Sequence, residues 1–105
     1  MESLVKTKSI TKDVTTAGTS EALVASDTMV ISYMILAKAG NVGNIFFGGS
    51  DVTSSNGLPI APGKSISNEL PSNSSMGGLE FNLKDVYIDS ANDGDGVHIT
   101  YNYRD

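Results

Sequence analysis

Val97-His98-Ile99-Thr100-Tyr101-Asn102-Tyr103-Arg104 alternates without a fault. Val97, Ile99, Tyr101 and Tyr103 fall on one side of an extended chain and His98, Thr100, Asn102 and Arg104 on the other, because successive side chains of a strand point to opposite faces. The run predicts an antiparallel strand with one face on a core and the other in water. Just upstream, Leu79, Phe81 and Leu83 alternate with Glu80, Asn82 and Lys84, and then the apolar phase moves by one to Val86 and Ile88. Such a slip turns every later side chain over, so a bulge or a strand break is expected at Lys84-Asp85. Between the two runs, Asp89-Ser90-Ala91-Asn92-Asp93-Gly94-Asp95-Gly96 is dense in turn formers and is expected to join them as a hairpin.

Further back, residues 28–38 place Met29, Ile31, Tyr33 and Ile35 on one side and Val30, Met34 and Leu36 on the other. A strand apolar on both sides is expected to be covered twice, the second time by another part of the chain or by a neighbouring subunit. Shorter strands are expected at 4–10, 22–25, 44–47, 58–60 and 64–67, separated by Ala17-Gly18, Gly40-Asn41, Gly48-Gly49, Asn56-Gly57 and Pro62-Gly63. No stretch carries the period of a long amphipathic helix. About seven or eight short antiparallel strands with such frequent turns make the fold all-β, a single-domain β-sandwich of jelly-roll type. Residues 67–78 break the rhythm; they read as a contact loop carrying Leu70 and Met76 as isolated apolar residues.

With 105 residues, 39% hydrophobic and 18% charged, the chain has material for one domain. The absence of cysteine removes disulfides, thiolate zinc sites and cysteine nucleophiles together. A net charge of -5 opposes contact with phosphates, so no nucleic-acid partner is expected. No apolar window is long enough to span a bilayer, and Met1-Glu2-Ser3-Leu4-Val5-Lys6-Thr7-Lys8 lacks the layout of a secretory signal, so neither membrane nor leader is expected. Charge is uneven, with Lys6, Lys8 and Lys12 near the start and Glu80, Asp85, Asp89, Asp93, Asp95 and Asp105 near the end. Residues 1–16 are therefore read as an arm and contact segment, and 17–105 as the sandwich. The lysines either blunt a strand edge or dock onto an acidic protein surface. Lys6, Lys8, Lys12, Leu70 and Met76 are the candidate partner contacts.

Motifs for chemistry are incomplete. Gly63-Lys64-Ser65 ends like a phosphate-binding loop, but Leu58 stands where its first glycine belongs and Pro71 interrupts the helix that should follow. Ser50 lacks the closing glycine of a nucleophile elbow. His98, the one histidine, lies on the polar side of its strand. The acidic run from Asp89 misses EF-hand spacing, with Ala91 at the third position and no closing glutamate, whereas Asp-Gly pairs suit tight turns. No catalytic residue, cofactor or metal ligand is assigned, and no enzyme is expected.

Residues 37–52, Ala37-Lys38-Ala39-Gly40-Asn41-Val42-Gly43-Asn44-Ile45-Phe46-Phe47-Gly48-Gly49-Ser50-Asp51-Val52, are followed by Ser55-Asn56-Gly57, Ile60-Ala61-Pro62-Gly63 and Leu83-Lys84-Asp85-Val86-Tyr87-Ile88-Asp89. This pattern resembles a module of small structural proteins of tailed bacteriophages, over residues 17–103. The resemblance implies a β-sandwich on the virion exterior, with capsid decoration (cement) proteins the nearest role at this size. Its partners would be the major capsid protein and sister copies, as homodimer or homotrimer, assembled in the bacterial host cytoplasm. The alternatives are a tail, neck or fibre component and a glycan-binding module. The shared residues are turn and core positions, and no site is carried over with them.

Overall fold

A computed structural model describes residues 5–69 and 80–104. Its strands are β1 (Val5–Asp13), β2 (Glu21–Ala22), β3 (Met29–Val30), β4 (Ser32–Ala37), β5 (Ile45–Gly48), β6 (Leu58–Ile60), β7 (Ser65–Glu69), β8 (Phe81–Asn82), β9 (Tyr87–Ser90) and β10 (Gly96–Arg104), with a 3-10 turn at Leu83–Asp85. One sheet has the order β1-β10-β4-β7, a second β2-β9-β5-β6, and β3 pairs with β8 as a small ribbon. Every pairing is antiparallel. Without the ribbon, the first sheet takes the first, eighth, third and sixth strands in chain order, and the second takes the second, seventh, fourth and fifth. That interleaving of two Greek keys is a jelly roll.

The core explains the register. Ile10, Ile99, Ile35 and Ile66 stand opposite one another, one per strand, across the inner face of the first sheet. Ile45, Ile60 and Ile88 supply the facing layer from the second, and the central side chains of both layers are fully enclosed. Each such burial is worth about 2 kcal/mol, and a one-residue slip of any strand would forfeit it. Tyr33 meets Phe81 edge-on, ring centroids 5.4 Å apart, where the ribbon joins the core.

The phase slip resolves into the 3-10 turn. Asn82 accepts from the Lys84 amide at 3.0 Å and from the Thr28 amide at 3.1 Å, so Leu83 drops into the core and the chain re-enters extended at Tyr87. Three expectations are corrected. The acidic run does not close a hairpin: β9 and β10 lie in different sheets, because alternation shows which face is buried but not which strand is the neighbour. The apolar stretch 28–38 is not one strand but two, broken at Ile31, whose amide bonds the Asn102 carbonyl; no described residue of the chain covers the outer side of its second half, where Met34 is 48% and Leu36 36% exposed. The division into an arm at 1–16 and a domain at 17–105 also fails. Residues 5–13 are β1, paired with β10 over nine positions and contributing Ile10 to the core.

Candidate functional site

The loops at one end of the sandwich are tied by carboxylates. Asp95, 3% exposed, accepts from the Val42 amide at 2.9 Å through Oδ1 and from the Gly43 amide at 3.0 Å through Oδ2. Asn41 matches the backbone of Gly96 as a strand would, its Oδ1 accepting from the amide and its Nδ2 donating to the carbonyl, both at 2.9 Å. Asp89, equally buried, accepts from Gly18 and Ser90, and Asp93 from Ala17. Glu21 Oε2 accepts from the amides of Thr15 and Thr16 at 2.9 Å while Oε1 meets Lys12 Nζ at 2.8 Å. Burial works against ionisation of Glu21, but the Lys12 and backbone hydrogen bonds outweigh it and hold the carboxyl below its usual 4.5. These carboxylates take the place of water at loop amides, the Ser90 amide among them fully buried, which is why the run is so rich in aspartate.

Other sequence motifs settle into structural roles. Gly63 turns β6 into β7 with φ of +80°, its amide bonding the Ala37 carbonyl, so Gly63-Lys64-Ser65 is a strand turn. Ser50 lies in the β5–β6 loop, where its carbonyl accepts the Ser20 hydroxyl at 2.7 Å. His98 is exposed on the outer side of β10 between Thr11 and Leu36, neither of which offers a carboxylate to orient the ring. Among the described residues, no three histidine or acidic side chains converge as a metal requires.

Lys6, Lys8 and Lys12 stand opposite Tyr103, Tyr101 and Val97. They therefore share the inward side of β1 with Ile10. Lys12 is half-buried against Glu21, while Lys6 and Lys8 lie beyond the short β2 and are exposed. Leu70 and Met76 fall outside the described residues.

The two sheets present different outer faces. Over the second, the β5–β6 loop folds back and buries Val52 beside Gly48 and Gly57. Over the first, no described residue lies. Its outward rows read Thr11, His98, Leu36, Ser65 and then Ser9, Thr100, Met34, Ser67. The next is Thr7, Asn102, Ser32, Glu69. The hydroxyls and amides bond sideways: Thr7 donates to Asn102 Oδ1 at 2.6 Å, Asn102 Nδ2 to Ser32 Oγ at 2.8 Å, and Ser9 and Thr100 share a bond at 3.3 Å. A hollow of about 330 Å³ runs between Met34, Ser67, Glu69 and Asn102. The parity of the sequence already groups the lysines with Ile10 and sets Met34 on the side away from Tyr33 and Ile35. What it cannot supply is the strand order that leaves β1 at an edge.

No family model, curated protein or solved structure matches the chain.

Proposed function

We propose that this chain is a non-enzymatic structural protein of a bacteriophage virion, seated on the capsid exterior, where it decorates and stabilises the expanded shell by bridging neighbouring major capsid protein subunits. The observation that supports this reading is β1, a nine-residue edge strand whose inward side carries three lysines. An edge of that length can accept a further strand through its main chain. Charge selects which strand. Antiparallel pairing of two β1 copies centred on Lys8 puts that residue opposite itself, and like charges so placed are destabilising. An extended segment with acidic residues at alternate positions fits instead, and a shell subunit would supply it. The jelly roll suits this role, as a fold used in viral capsids, and the carboxylate ties at its loop end make a stiff block.

Cosedimentation with expanded, undecorated capsids of the phage that carries the gene tests the reading. The wild-type chain is expected to pellet with the shells. Lys8→Glu is expected to bind at least tenfold more weakly, since the exposed position should not disturb folding. A chain that leaves the shells bare points to a tail, neck or fibre component or to a glycan-binding module. Binding unchanged by Lys8→Glu would remove the edge from the account.

A further inference from the structure

We propose that the outer face of the β1-β10-β4-β7 sheet is a self-association surface, on which two copies of the chain pack face to face about a two-fold axis near Met34. Three independent observations converge on it.

The first is charge. Among the described residues, the charged ones of this face are Asp13 and Lys38 at one end, joined at 2.7 Å, and Glu69 and Arg104 toward the other. They cancel, so the described part of this face carries no net charge. A partner of strong charge of either sign gains nothing here, whereas a neutral face with both signs at its rim is complementary to itself, as an isologous contact requires.

The second is the cost of drying the surface. Thr7, Asn102, Ser32, Ser9 and Thr100 already hydrogen-bond one another, so covering them orphans few donors or acceptors. At the centre, Met34 and Leu36 expose thioether and methyl groups that gain from being covered. An uncharged centre with an apolar pair and a charged rim is the anatomy of an interface core.

The third is contrast within the fold. The chain's own β5–β6 loop packs Val52 onto the outer side of β5 in the second sheet, while among the described residues nothing covers the first. Strand spacing and rise give the bare face a projected area of about 400 Å² per copy. That places the contact at the weak end of specific interfaces, a dimer forming at micromolar concentration or above.

This contact belongs to the isolated chain and stands or falls separately from the virion reading. Sedimentation velocity over about 10 to 500 µM covers the range expected of an interface of this size. The 11.0 kDa chain is expected to shift toward twice its mass, and Met34→Lys combined with Leu36→Lys to weaken dimerisation at least tenfold with an unchanged circular dichroism spectrum. Because the protein has no cysteine, Met34→Cys reports directly: oxidation should yield a covalent dimer, whereas Val42→Cys, 79% exposed on a loop at the sandwich end, should not. A wild-type chain that stays monomeric throughout overturns the proposal. So does a dimer indifferent to the lysine substitutions, or one cross-linked through Val42→Cys and not Met34→Cys.

Discussion

Asp95 shows how one residue can tie its own loop to two others. Its carboxylate binds the amides of Val42 and Gly43, its carbonyl accepts the Val14 amide at 2.8 Å, and the next residue is gripped by Asn41. Asp95→Ala leaves two part-buried amides without their acceptor and is expected to lower stability by about 1 kcal/mol in urea unfolding. Glu21 adds a pH dependence of definite sign. Its carboxyl ionises more easily folded than unfolded, so its contribution is complete above 4.5 and disappears as pH falls through the lowered value. The stability difference between wild type and Glu21→Gln should therefore be largest near neutrality and close below pH 4.5; a difference that widens on acidification would contradict the assignment.

At the scale of elements, β1 is the decisive case. It supplies Ile10 to the isoleucine row, so deleting residues 5–13 is expected to abolish the dispersed NMR spectrum of a folded domain. Where β1 leaves the sheet, it passes so close to β10 that a Cβ at Gly96 would stand 2.7 Å from the Lys12 carbonyl oxygen. Gly96→Ala should cost about 2 kcal/mol through the forced separation of the strands. Ile99→Ala, in the centre of the row, should cost about 3 kcal/mol. The period of two in 97–104 and the break near Lys84 were legible because side-chain parity is local. The pairing of β10 with β1 and β4 was not, nor was the crossing of 91–95 between sheets, because each depends on contacts remote in sequence. The candidate surfaces divide in the same way. Parity groups Lys8 with Ile10 and Met34 with Leu36, but only the strand order makes one group an edge and the other the middle of a bare face.

For the whole molecule, the arrangement combines a stiff core with two surfaces of different character, a basic edge and a neutral face. On the proposed role they divide the work, the edge engaging an acidic strand of the shell and the face joining copies. Many weak contacts repeated over a symmetric lattice would then act together to resist opening of the shell. Cryo-electron microscopy of expanded, undecorated capsids mixed with the purified chain tests this most directly. Density at the junctions between capsomers, with a shell strand continuing the first sheet beside β1, is the result the account predicts. Shells that remain bare while the protein stays in solution would contradict it.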